Sequence, residues 1–146
     1  MKIAEIMTKD VLTIWPDSTL RECASVMNNR HVNGLVVLDG KRVAGVITKA
    51  DIFKAILPTY ADIIEDEHHI ASFEYIEERA HKLHDLKVRN IMGTPAITIE
   101  SDTPVVKAGS IMILKRVKQL PVVDRDELKG IVTLTDIINY ILEKTR

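Results

Sequence analysis

The chain carries a single cysteine, Cys23, in 146 residues. One thiol excludes an internal disulfide and a cysteine-built zinc centre. Cys23 falls within an apolar helical pattern, which assigns it to core packing and not to nucleophilic chemistry. Charge excess of either sign is also missing: 20 Lys and Arg stand against 21 Asp and Glu. A general nucleic-acid binder would show a basic face and a high pI, so none is expected here. No apolar run approaches a membrane span in length. Residues 1–7 are too charged, and their apolar run too short, for a signal peptide. There is no Gly-rich phosphate loop, no nucleophile elbow and no carboxylate pair tied to a cleft. These absences predict a soluble, cytoplasmic protein with no membrane partner.

What is present is a repeat. At 46% hydrophobic, the chain can bury a core as one domain or as two half-size units. A slide of about 85 positions, with no gap, superposes Met7 on Met92, Thr13 on Thr98, Asp17 on Asp102 and Met27 on Met112. It also superposes Leu35 on Leu120, Val37 on Val122, Asp39 on Asp124, Gly45 on Gly130, Thr48 on Thr133 and Asp51 on Asp136. The register holds over nearly the whole repeat, so the chain is a duplication. The predicted layout is repeat one at 1–57, a connector at 58–87 and repeat two at 88–146.

Each copy reads as strand, helix, strand, strand, helix. In copy one, residues 3–7 suggest a helical turn and 11–14 a short strand. Thr19, with Glu22 three residues on, predicts a capped helix start. Leu20, Cys23, Ala24 and Met27 give that helix one apolar stripe. Residues 28–31 break the pattern. The apolar runs 35–38 and 43–47, with turn chemistry at 39–41, read as a hairpin covered on both faces. Thr48 then caps a second helix. In copy two, 96–99 is the expected short strand, and Thr103 before Pro104 reads as an N-cap with Pro at the first helical position. Residues 118–123 and 128–133 form the second hairpin, and 136–143 belong to the closing helix.

The connector alternates charges with Ile63, Ile64, Ile70, Phe73, Ile76, Ala80 and Leu83 at three- and four-residue steps. That spacing predicts amphipathic helix. Pro58 ends the helix before it, and the acidic run 65–67 reads as a polar helix start or loop. His68, His69, His81 and His84 all lie here. Glu77, His81 and His84 share a helix face by spacing and offer one metal-binding alternative. With no evident fourth ligand, a solvated face is the simpler reading, and no metal site is assigned.

Thr48-x-x-Asp51 and Thr133-x-x-Asp136 close the two copies. As structure, each is a capping box, with the Asp complementing the helix dipole. As chemistry, a helix N-terminus offers N–H groups to a phosphate. The Asp carboxylate can accept from ribose hydroxyls, at roughly 1.5–3 kcal/mol per charge-assisted bond. Both roles are compatible.

The Ile-Met start, the apolar-Pro-Val-Val-Asp strand and the Gly-apolar-apolar-Thr-x-x-Asp-Ile ending, in two copies, resemble the CBS domain, whose tandem pair is called a Bateman module. The resemblance covers nearly the whole chain apart from the connector. It implies an α/β pseudo-twofold pair, each repeat β-α-β-β-α, with two clefts between the copies; the helical connector, read from its spacing alone, is expected to pack on this duplicated core or on another subunit. The resemblance further implies a regulatory sensor of adenine-containing ligands, not a catalyst, with no catalytic residues and no cofactor required. AMP, ADP and ATP are the expected partners, with S-adenosylmethionine and NADH behind them. It also implies a homodimer that reports to an effector protein yet to be identified.

By resemblance, Asp51 and Asp136 are the ribose-binding residues. The Asp136 cleft would take Thr8, Leu12, Val32 and Asn33 from copy one, with Lys118, Gln119, Ile131 and Thr133 from copy two. The Asp51 cleft would take Thr94, Ile97, Val117, Lys118, Asn33, Val46 and Thr48. For each aliphatic member, plain core packing is the competing explanation. Lys118, with Arg116 or Arg30, can reach a phosphate or merely offset a helix dipole. Copy one departs from the family pattern: Val36 replaces the usual Pro, and Gly34 precedes Leu35. The Asp136 cleft is therefore the better candidate. The rival function is a ligand-free dimerising scaffold.

Overall fold

The computed structural model describes residues 1–56, 77, 78, 81 and 84–145. Repeat one runs β1 (Thr13–Ile14), α1 (Leu20–Arg30), β2 (Gly34–Asp39), β3 (Arg42–Thr48) and α2 (Lys49–Ile56). Repeat two opens with the short helix α3 (Val88–Ile91). It continues as α4 (Val105–Lys115), β4 (Gln119–Asp124), β5 (Glu127–Thr133) and α5 (Leu134–Lys144). The fold is α/β, two β-α-β-β-α units related by a pseudo-twofold axis. Among the described residues, no helix is long and apolar enough to cross a membrane.

Local chemistry explains the turns. The Thr19 hydroxyl accepts from the Glu22 N–H at 3.1 Å, and the Glu22 carboxylate accepts from the Thr19 N–H at 3.4 Å, completing the capping box. Helix α1 runs through residues 28–30, where the sequence pattern breaks, and ends with His31 in the left-handed conformation. Arg116 ends α4 in the same way. In each, the next N–H closes back on the helix: Val32 to the Met27 carbonyl and Val117 to Met112, both at 3.0 Å. This closure satisfies late carbonyls and turns the chain sharply into the following strand.

Two expectations for repeat two fail. Helix α4 is not capped by Thr103: Pro104 itself is the extended N-cap residue, without a side-chain bond, and the helix starts at Val105. The duplication register explains this, since Pro104 occupies the place of Thr19 and Thr103 that of Ser18. The strand expected at 96–99 shrinks to one parallel bridge between Ile99 and Val122. In repeat one the Val36 N–H donates to the Leu12 carbonyl at 3.3 Å and helps hold β1 on β2. Its counterpart is Pro121, which has no N–H to give.

Both hairpins slip register at the same place, between Val37 and Leu38 in one and between Val122 and Val123 in the other. Two cores result, and each contains a piece of the other repeat. Ile3, fully buried, packs with Val105, Ala108, Met112, Leu120, Val122 and Val132 of repeat two. Val88, also fully buried, packs with Leu20, Cys23, Met27, Leu35, Val37 and Ile47 of repeat one. The backbone mirrors the exchange. Ile3 N–H donates to the Thr103 carbonyl and Val88 N–H to the Ser18 carbonyl, both at 2.9 Å.

The amphipathic connector expected at 58–87 falls largely outside the described residues. So do Pro58, Ile63, Ile64, the acidic run 65–67, His68, His69, Ile70, Phe73, Ile76, Ala80 and Leu83.

Candidate functional site

Each second hairpin strand runs directly into a helix, and Thr sits at the junction. The Thr48 N–H donates to Asp51 Oδ2 at 2.9 Å, and the Asp51 N–H donates to Thr48 Oγ1 at 3.2 Å. The Thr133–Asp136 pair repeats this at 2.9 and 3.1 Å. Both Thr and both Asp are half-buried. The boxes therefore hold each carboxylate by one oxygen. Oδ1 of Asp51 and of Asp136 carries no protein hydrogen bond among the described residues. An anionic acceptor fixed at one oxygen and unengaged at the other suits a vicinal diol.

A segment from the opposite repeat forms a single bridge beside each box. Thr8 and Ile131 exchange backbone hydrogen bonds, each 2.9 Å, two residues before Thr133. Val46 and Gly93 exchange theirs at 3.4 and 2.9 Å, two residues before Thr48, with Thr94 next in sequence. Glycine permits this approach. A Cβ on Gly130 would stand 2.8 Å from the Thr8 carbonyl oxygen, and one on Gly45 would stand 2.7 Å from the Gly93 oxygen. Sequence reasoning matched these two glycines as equivalents but gave them no role. Glycine retained at one position in both copies was the available signal.

The first helical N–H groups bind the segments before β2 and β4. Lys49 N–H donates to the Asn33 carbonyl and Leu134 N–H to the Lys118 carbonyl, both at 2.9 Å. Gln119 pairs with Thr133 across the hairpin, as Gly34 pairs with Thr48. The structure thus gathers Thr8, Ile131, Thr133, Asp136 and Lys118 at one helix start, while Gln119, expected there too, pairs with Thr133 by its backbone and sends its side chain toward Gly34. It gathers Thr48, Asp51, Val46, Asn33 and Thr94 at the other. Leu12 and Val32 are half-buried against the repeat-one core, and Ile97 and Val117 against the repeat-two core. Lys118 is exposed and forms no ion pair among the described residues.

Gly34 and Gln119 are duplication equivalents, and they meet. The Gln119 amide nitrogen occupies the space into which a Cβ on Gly34 would project. Gly34 therefore makes room for a side chain of the other repeat.

Elsewhere, the expected metal alternative does not gather. Glu77 and His81 are exposed on helix and His84 is exposed in a turn, with the two imidazole centroids 5.8 Å apart. Among the described residues no three His, Cys, Asp or Glu side chains converge to hold a metal. An open cleft of about 440 Å³ is lined by Trp15, Pro16, Asp17, Ser18, Glu22, Asp39, Gly40 and Arg89. Its Asp17 and Arg89 are already paired at 2.6 Å. No second set of donors converges there, so the Thr–Asp junctions are the stronger candidate site. Cys23 is fully buried, and burial pushes its thiol up to about 11.

Comparison with known proteins places this geometry. The CBS domain family matches residues 3–58 and 88–143. An uncharacterized protein of Methanocaldococcus jannaschii is 30% identical over 143 residues, covering 97% of this chain and 32% of the relative. The chain spans less than half of the first curated relatives, 23% in an inosine-5'-monophosphate dehydrogenase of the same organism, and 91% of a CBS domain-containing protein of Dictyostelium discoideum. Among solved structures, CBSX2 of Arabidopsis thaliana in complex with AMP superposes with a TM-score of 0.77 at 19% identity, covering 99% of this chain and 98% of that one. A CBS domain pair in complex with 5'-methylthioadenosine and S-adenosyl-L-methionine superposes with a TM-score of 0.76 at 24% identity, covering 99% and 98%. At these identities the superpositions establish the fold. With the family matched across both repeats, the chain belongs to the CBS domain family as a tandem pair, a Bateman module.

Proposed function

We propose that this pair is a regulatory, non-catalytic module that binds an adenine nucleotide at the Thr–Asp junctions. AMP, ADP and ATP are the favoured ligands, ahead of S-adenosylmethionine and NADH. The observation that carries the reading is the half-engaged carboxylate of each capping box beside a bridged segment of the other repeat. Asp136 and Asp51 would accept from ribose hydroxyls, and the positive dipole ends of α2 and α5 would face phosphate, although their cap, first and third N–H groups already have protein acceptors. Thr8 and Ile131 would flank one base, Val46 and Thr94 the other, with Leu12, Val32, Ile97 and Val117 as apolar walls. Lys118 supplies a cation for phosphate charge. The relatives bound to AMP and to S-adenosyl-L-methionine support an adenine-containing ligand.

A ligand in either cleft would touch both repeats, because the strand leading into each Thr–Asp junction is bridged to a segment of the other repeat. It therefore stabilises one relative arrangement of the two, by its differential affinity for the alternatives. The output passes to an effector protein or through a dimer. The dimer reading rests on an apolar helix face confined to repeat two. Val106, Ile113 and Leu114 are 71%, 72% and 79% exposed, where repeat one carries Arg21, Asn28 and Asn29.

The test is thermal unfolding with AMP, ADP, ATP, S-adenosylmethionine and NADH, run on wild type, Asp51→Ala and Asp136→Ala. A ligand at one hundred times its dissociation constant adds about 2.7 kcal/mol. That raises the midpoint by about 5–10 °C. A shift with one ligand, lost in one Asp variant, supports the sensor. No shift across the panel at millimolar concentration favours the ligand-free scaffold.

A further inference from the structure

Gly34 and Gln119 occupy equivalent positions of the duplication, so their contact lies on the pseudo-twofold axis between the two clefts. A perfect duplication would place the same side chain from each repeat here, and the clefts would be equal. This chain places glycine on one side and glutamine on the other. In an antiparallel pair, residues directly opposite share a face of the sheet. Gly34 is opposite Thr48, and Gln119 is opposite Thr133. The Gln119 amide nevertheless crosses the axis and sits where the Gly34 side chain would be, on the Thr48 face. The Ile47 carbonyl oxygen lies 3.3 Å from that same position. Gly34 has no side chain to send back toward Thr133. The amide makes no hydrogen bond within the protein among the described residues, so packing alone holds it there.

Resting on the nucleotide reading above, we propose that Gln119 sets the inequality of the two clefts. Its side chain takes volume from the Asp51 cleft and leaves the Asp136 cleft open, so the Asp136 cleft is the tight site and the Asp51 cleft the weak one. The module then responds in two ranges of ligand concentration. Being the mobile end of a long side chain, the amide can also be displaced when ligand is abundant.

The test is calorimetric titration of AMP, ATP and S-adenosylmethionine into wild type, Gln119→Gly, and the exchanged variant Gly34→Gln with Gln119→Gly. Each is run with and without Asp51→Ala or Asp136→Ala, which identify the cleft. Circular dichroism confirms that each variant is folded, and Gln119→Ala stands in if the glycine variant is not. Wild type should bind two equivalents with affinities at least tenfold apart, the tight one lost with Asp136→Ala. Gln119→Gly should strengthen the weak site and bring the two within about threefold. The exchanged variant should move the tight site to Asp51. Binding with an affinity ratio unchanged by Gln119→Gly, or a tight site that stays at Asp136 in the exchanged variant, would overturn the inference alone. No heat from any ligand in any variant would remove the nucleotide reading and this inference together.

Discussion

Ile3→Ala tests whether the repeats truly exchange their leading segments. A residue in a short segment ahead of the first strand ordinarily lies at the surface, and its truncation is nearly silent. Here Ile3 is fully buried in the core of repeat two, and its N–H donates to the Thr103 carbonyl at 2.9 Å. Truncation removes about three methylene equivalents, worth roughly 2.4 kcal/mol of transfer free energy. The cavity left in a core shared with Met112, Leu120 and Val132 brings the expected loss to about 2–5 kcal/mol. For a chain of this size that lowers the midpoint by about 5–15 °C. The assay is thermal unfolding followed by circular dichroism, with Val88→Ala as the mirror-image variant and Ala4→Ser as an exposed neighbour. Ile3→Ala and Val88→Ala should both destabilise strongly, and Ala4→Ser should not. An Ile3→Ala midpoint within about 1 °C of wild type would refute the exchanged packing, whatever Val88→Ala does.

Three further outcomes follow from the packing and hydrogen bonds of the fold. Gly130→Ala should cost about 1–3 kcal/mol by unfolding, because its Cβ would meet the Thr8 backbone oxygen at 2.8 Å, and backbone cannot swing aside. The Ser101 hydroxyl and N–H hold the Asp124 carboxyl below its ordinary range, at 2.5 and 2.9 Å. A depressed carboxylate stabilises the fold above its unfolded pKa and ceases to do so as pH falls through the folded one. The midpoint difference between wild type and Ser101→Ala should thus be steady near neutrality and close as pH drops below about 4. Cys23, buried and with its thiol pushed up to about 11, should resist a disulfide reagent at pH 8 in the native protein. It should react fully in denaturant, and fast native reaction would contradict the packing of α1.

The duplication made much of this fold legible. Thr48 with Asp51 and Thr133 with Asp136 were readable as capping boxes because both partners lie within one helical turn, where sequence spacing is spatial spacing. The hairpins were readable from their apolar runs. The start of α4 was misread by local propensity at Thr103, although the repeat register, placing Pro104 at the position of Thr19, pointed to the right residue. The missing strand before Ile99 depends on an N–H that Pro121 lacks, a deficit that shows only once the partner strand is known. Which core receives Ile3, and which side chain fills the space over Gly34, are contacts between repeats. Periodicity within a repeat carries no information about them.

The most direct test of the central claim is a crystal structure grown with AMP. The ribose hydroxyls should lie on Oδ1 of Asp136, the phosphate at the start of α5 and the base against the bridged Thr8 and Ile131 backbones. Density at the cleft beside Trp15 and Arg89, or none at either Thr–Asp junction at saturating AMP, would contradict it.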